Sequence, residues 1–249
     1  MSEALLVLRA AIFWLWQILV TLLLGPPVLL AGALSYDLGF PLAMWWIRAN
    51  VYGLRWICGV RWEVDGRENI PDRPCLVMSK HQSTWETYFL AMLFNPSVYV
   101  AKKSLLRIPI FGWAIGILDF IMIDRKSGRS AIAQMVEQAR DRLDKGRWVI
   151  IFPEGTRQAV GAEPNYRIGG AVVASRLGVD ILPVATNSGE YWPRMGFVKR
   201  PGTVTVSVLP PIEADGRDAA ALLAETAERI EVRMANISAP GAETRLDGV

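Results

Sequence analysis

Apolar positions are arranged in two ways along the chain. Up to about residue 60 they are nearly continuous, and from Arg61 they fall into short runs separated by polar or turn-forming stretches. The head contains the run AAIFWLWQILVTLLL at 10–24, interrupted only by Gln17 and Thr21. With the preceding ALLVL and a single Arg9, it predicts a helix from Ala4 to Leu24, about 30 Å long at ~1.5 Å per residue. Pro26–Pro27 is expected to break that helix. A shorter apolar stretch follows, carrying Asp37 and Pro41 and leading to Trp45 and Trp46, where an interfacial belt would lie. The expectation is a helix, a bend, and a second helix that returns toward the same interface or lies in it.

The body changes period. RWEVD (61–65) alternates apolar and polar residues, and CLVMS (75–79), SVYVA (97–101), FIMI (120–123), WVIIF (148–152), DILPVAT (180–186) and TVTVSVL (203–209) are apolar or β-branched runs of strand length. Helical character is expected over 83–93, over 129–143 with Ile132, Met135, Val136, Ala139 and Leu143 at helical spacing, over 169–177, and over the Ala-rich 218–236. Buried strands alternating with helices predict an α/β fold, its central sheet largely parallel or mixed and flanked by helices. Residues 1–60 are read as an N-terminal apolar two-helix membrane-seated segment and 61–249 as the α/β domain. In such sheets ligands bind beyond the carboxyl ends of the strands, so the residues just after each run are the ones to inspect.

Composition sharpens this picture. The chain has 249 residues, 52% hydrophobic and 20% charged, a balance that excludes disorder. Only Glu3, Arg9, Asp37, Arg48 and Arg55 carry charge before residue 61, whereas six of the ten tryptophans lie before residue 63. A signal peptide would call for a basic start, and this one carries Glu3; a buried soluble helix pair is the other alternative to membrane seating. The net charge of +3 is too small to argue for nucleic acid but suits an anionic lipid surface. Cys58 and Cys75 are too few for a disulfide scaffold and read as reduced thiols. With His81 the single histidine, a multi-histidine metal site cannot be built from one chain, and no metal is expected.

Three clusters carry candidate chemistry. After the strand at 75–79 comes Ser79-Lys80-His81-Gln82-Ser83-Thr84-Trp85-Glu86. A histidine on the loop and a carboxylate in the first turn of the following helix could serve as a base and its orienting partner. Ser83-x-x-Glu86 is equally a capping box, in which Glu86 does no more than reach back to a backbone N–H. The second cluster, Phe152-Pro153-Glu154-Gly155-Thr156-Arg157, forms a tight turn that can offer N–H groups, a hydroxyl and the planar fork of Arg157 to phosphate oxygens. A surface pair between Glu154 and Arg157 is its structural alternative. The third, 100–113, interleaves Lys102, Lys103 and Arg107 with apolar residues, a pattern that suits a membrane surface, an anionic head group or a merely solvated face. No G-x-S-x-G, P-loop or G-x-G-x-x-G occurs, which weakens serine hydrolase, nucleotide hydrolase and dehydrogenase readings.

Together these blocks resemble the glycerolipid acyltransferase family. Its N-H-x4-D block is similar to Lys80-His81…Glu86, and its I-x-I-D-R block to Ile121-Met122-Ile123-Asp124-Arg125. F-P-E-G-T-R is matched letter for letter at Phe152–Arg157, and a V-P-V-A-like strand at Leu182-Pro183-Val184-Ala185, followed by Asn187-Ser188-Gly189. The resemblance runs from about Arg61 to Gly189, and departs from the pattern where Glu86 replaces aspartate and Lys80 replaces asparagine. It implies transfer of a fatty acyl group from acyl-CoA or acyl-carrier protein to the sn-2 hydroxyl of lysophosphatidic acid. His81 would be the general base and Glu86 its orienter. Arg157, assisted by Arg125, would hold the phosphate; Glu154, Gly155 and Thr156 would shape the glycerol pocket, and Lys103 would steady the oxyanion or the phosphate. The acyl donor is a co-substrate, and no further cofactor is implied. The partners implied are these substrates and membrane lipids, at a cell inner membrane with the site facing the cytoplasm. Another lysolipid as acceptor, or a catalytically silent lipid-binding protein, are the alternatives that the head-group pocket and the His81 region must decide.

Overall fold

The structure, a computed structural model, describes residues 1–124 and 128–239. The first helix, α1 (Glu3–Leu34), continues through Pro26 and Pro27, where the sequence predicted a break. Each proline removes one backbone donor, but a packed neighbour helix holds such a segment helical. That neighbour is α2 (Tyr36–Gly53), which folds back after the single extended residue Ser35, whose hydroxyl accepts from the Leu38 N–H. The pair is antiparallel: the Trp46 indole donates to the Thr21 hydroxyl at 2.9 Å, and the Trp16 indole to the Ala49 carbonyl at 3.0 Å. Nearest the bend the backbones almost touch, and a Cβ on Gly39 would lie 2.5 Å from the Gly32 Cα. The expected return therefore occurs, ten residues later than Leu24. Among the described residues α1 is the one helix long and apolar enough to cross a membrane, and only 22% of its most apolar 18-residue stretch is buried.

Seven strands form one sheet: β1 (Val60–Asp65), β2 (Leu76–Ser79), β3 (Ser97–Lys102), β4 (Ile121–Ile123), β5 (Trp148–Ile151), β6 (Ile181–Thr186) and β7 (Gly202–Val208), in the order β1-β7-β6-β2-β5-β3-β4. From β6 to β4 all neighbours are parallel; β7 is antiparallel to β6, and β1 parallel to β7. The sheet is mixed, with a parallel core. β2, β5 and β6 are buried along their whole length, which is why their sequences are unbroken apolar runs rather than alternating ones.

The remaining helices are α3 (Trp85–Leu93), α4 (Phe111–Ile117), α5 (Arg129–Asp144), α6 (Gly169–Leu177) and α7 (Ala219–Ile237). On one face of the sheet Val77, Ile150 and Leu182 share a core with Phe13 of α1, Val51 of α2 and Trp85 and Phe89 of α3. On the other, Leu76, Met78 and Val149 pack against Met135 and Ala139 of α5, Val173 of α6 and Leu222 of α7. The helical hairpin is thus joined to the body by a common core. α4 was not expected from the sequence. It packs along α1, with Ile110 and Ile117 filling the space left by Gly25 and Gly32.

Candidate active site

Because β6, β2, β5, β3 and β4 run parallel, the residues that follow them emerge at one edge of the sheet. β2 and β5 are direct neighbours, with Met78 opposite Ile151. The loop carrying His81 therefore lies beside the turn carrying Glu154 to Arg157. β6 flanks the same loop and delivers Ser188, while β3 is followed by the exposed Lys103. Arg125, expected to assist with phosphate, lies outside the described residues.

His81 Nδ1 is 2.8 Å from Glu86 Oε1. The same oxygen accepts from the backbone N–H groups of Gln82 at 2.9 Å and Ser83 at 2.7 Å, and the Ser188 hydroxyl donates to the second oxygen at 2.7 Å. Four donors converge on one fully buried carboxylate. An acceptor-only carboxylate draws the ring proton to Nδ1 and leaves Nε2 with its lone pair. The orienting contact is present together with one half of the capping box, the Ser83 N–H donating to Glu86, while Ser83 Oγ accepts from the Trp85 N–H at 3.1 Å. The extra methylene of Glu86 therefore does not keep its carboxylate from the imidazole.

The rest of His81 is held as firmly. Its ring stacks on Phe152 with centroids 3.8 Å apart and planes 11° from parallel. Its backbone N–H donates to Glu154 Oε2 at 2.7 Å, and its carbonyl accepts from the Gln158 N–H at 2.8 Å. Within the turn, the Gly155 N–H donates to the Phe152 carbonyl, and Gly155 takes φ +72°, a conformation that favours glycine. Glu154, expected to shape the glycerol pocket, is instead turned inward, where Lys80 Nζ lies 3.0 Å from Oε1. Burial pushes its carboxyl up to about 7, against the opposing pull of Lys80. The surface pair between Glu154 and Arg157 is not formed.

Arg157 instead donates through Nη1 to the Thr84 hydroxyl at 2.6 Å, and pairs with no carboxylate among the described residues. It is half-buried, with Thr156 exposed beside it. A cavity of about 370 Å³ opens next to this turn, lined by Ile123, Met135, Ile151, Phe152, Gly155 and Gly169 among others. Among the described residues no cluster of histidine, cysteine and carboxylates could hold a metal ion. Burial raises the Cys58 thiol to about 11 and the Cys75 thiol to about 12, so neither is poised as a nucleophile. Sequence reading passed over Phe152 and Ser188 as site residues. Ser188 could have been found, because it too follows a parallel strand; the ring stacking of Phe152 had no signal.

A model of the Acyltransferase family matches residues 61–187. The 1-acyl-sn-glycerol-3-phosphate acyltransferase of Pseudomonas aeruginosa is 45% identical over 186 residues, covering 75% of this chain and 72% of that protein. A Chlamydomonas reinhardtii protein described as a 1-acyl-sn-glycerol-3-phosphate acyltransferase is 32% identical over 82% of this chain, which spans 64% of that relative's length. In three dimensions the chain is similar to the crystal structure of the 1-acyl-sn-glycerophosphate (LPA) acyltransferase PlsC from Thermotoga maritima, with a TM-score of 0.77 over 94% of this chain and 96% of that one. At 23% identity that likeness speaks for the fold alone. The family match over half the chain, joined to the Pseudomonas identity, establishes that this chain belongs to the acyltransferase family.

Proposed function

We propose that the chain transfers a fatty acyl group from acyl-CoA or acyl-carrier protein to the sn-2 hydroxyl of 1-acyl-sn-glycerol 3-phosphate, giving phosphatidic acid. The observation that carries the chemistry is the 2.8 Å contact from His81 Nδ1 to a buried Glu86, with the opposite ring nitrogen free to take a proton. Nε2 of His81 accepts the hydroxyl proton as that oxygen attacks the thioester carbonyl. The resulting imidazolium faces the carboxylate of Glu86, which steadies it. Collapse breaks the C–S bond, and the proton passes from His81 to the departing thiolate. The acceptor hydroxyl is itself the nucleophile, so no covalent enzyme intermediate is required.

Arg157 is the proposed phosphate ligand, since Thr84 fixes one of its nitrogens and no carboxylate among the described residues neutralises it. Lys103, Gly155, Thr156 and Arg125 complete the proposed head-group site. The largely apolar walls of the 370 Å³ cavity suit an acyl chain lying beside His81. We place the chain at the cytoplasmic face of an inner membrane, with residues 1–60 as its seat, supported by the exposed apolar surface of α1.

The test is acyl transfer from labelled acyl-CoA to lysophosphatidic acid by membranes containing wild type or His81→Ala. Wild type alone is expected to form phosphatidic acid, with the variant slower by about 100-fold or more. Equal product from both would make His81 structural and overturn this mechanism. If wild type forms none, acyl-carrier protein as donor and then other lysolipids are the next substrates.

A further inference from the structure

Beneath His81 lies a buried charged layer that the proposed reaction does not use. Lys80 is almost wholly buried, and its backbone N–H is tied to the Val184 carbonyl of β6 at 3.0 Å. Its Nζ lies between two carboxylates, 3.0 Å from Glu154 Oε1 and 2.7 Å from Glu231 Oε1. Glu231 belongs to α7, and the Tyr166 hydroxyl donates to the same Oε1 at 2.5 Å. The Tyr166 ring also lies 5.7 Å from the Lys80 ammonium. The second oxygen of Glu154 is the one that accepts the His81 backbone N–H.

We propose that Lys80 and Glu231 are positioning residues for His81: the Lys80 ammonium bridges Glu231 and Glu154, and Glu154 holds the backbone of the base. The physical need is specific. A buried carboxylate and a partly exposed one that face each other repel, and without a cation between them one must move or take up a proton. Lys80 supplies that cation from the residue adjacent to the base, so its side chain and the histidine backbone are registered on the same carboxylate. Glu231 then ties this layer to the last described helix, about 150 residues away in sequence. An asparagine at position 80, as in the family pattern, would leave the Glu154–Glu231 pair unneutralised. The two acids and the lysine therefore form one unit in this chain.

That Lys80 and Glu231 act on catalysis rests on the acyl transfer proposed above; that they position His81 does not. The single histidine makes the two separable, because protein labelled with 15N-histidine gives one backbone amide signal and one pair of imidazole nitrogen signals. In the full chain, Lys80→Met is expected to move the His81 amide signal and to lower kcat by about ten- to hundred-fold, with KM for both substrates nearly unchanged. Adding Glu231→Gln removes the repulsion and is expected to return both readouts part of the way. Should Lys80→Met fail to fold, Glu231→Gln alone, at a partly exposed position, must shift the amide signal and lower kcat. An unchanged amide signal in folded variants overturns the proposal, as does a kcat that only follows the folded fraction. A shifted amide signal in a protein whose wild type shows no acyl transfer supports the positioning and rejects the proposed reaction instead.

Discussion

Glu86 carries two tasks on one carboxylate, and its neighbours show how they can be separated. Its oxygens take the Ser83 and Gln82 N–H groups, the Ser188 hydroxyl and His81 Nδ1 together. Glu86→Gln introduces an amide donor among these donors, so stability is expected to fall by about 1–3 kcal/mol in chemical denaturation. The same change is expected to lower kcat by about 100-fold or more; lost stability with kcat retained would leave Glu86 only a cap. Glu154 makes a different prediction. Burial holds its carboxyl at about 7 in the folded chain, against about 4.3 when unfolded. Between those values the folded state binds the extra proton, so stability falls as pH rises through that window and levels off above it. The slope from this group is at most about 1.4 kcal/mol per pH unit, and Glu154→Gln is expected to flatten the difference between melting temperatures at pH 5 and pH 8. An identical pH dependence in both proteins would refute the buried, raised carboxyl. Of these residues, the sequence displayed His81, Glu86 and the Glu154–Arg157 turn as motifs. Tyr166 and Glu231 had no local pattern, because their partners are far away along the chain, and Ser188 was marked only by its place after a strand.

At the scale of elements, the hairpin shows why two prolines did not end a helix. Pro26 and Pro27 lose donors, yet α1 is braced by α2 across Gly32 and Gly39 and by Ile110 just before α4 and Ile117 at its end. The brace depends on close approach, since a Cβ on Gly32 would lie 2.4 Å from Ile117 Cγ2. Gly39→Val is therefore expected to destabilise the chain by about 1–3 kcal/mol, read as a lower melting temperature in detergent; an unchanged melting temperature would mean that the helices part without cost. Strand assignments fared better. Each apolar run in the body became a strand within a residue or two of its expected ends, and for β2, β5 and β6 the reason is that a strand covered on both faces must be apolar throughout. α4 escaped notice since its seven residues FGWAIGI, two of them glycine, carry too little periodicity for a helix to be read.

For the whole molecule, the exposed apolar side of α1 is the feature that sets its surroundings. Leu15, Leu22 and Leu23 are each more than half exposed although α1 packs closely on α2. Replacing all three with Gln removes about 1.5–3 kcal/mol of apolar transfer each, so the full-length variant is expected to leave phosphatidylglycerol vesicles in a sedimentation assay that retains wild type. Equal retention would show that this side of α1 does not face lipid. The same hairpin also completes the core beside the sheet, through Phe13 and Val51.

The sequence by itself determined the local matters: an apolar head, short buried strands alternating with helices, a histidine with a carboxylate five residues on, and a phosphate-suited turn. Each is written in neighbouring residues, where periodicity, turn chemistry and spacing act. Only the tertiary structure decided the order of the strands, which places Ser188, His81, Glu154 and Lys103 side by side at one sheet edge although they are spread through the chain. It alone set Glu154 beneath the base and Lys80 between two acids, and kept α1 helical through its prolines. Those outcomes depend on burial and on contacts between distant segments. Neither is encoded in any short stretch of residues.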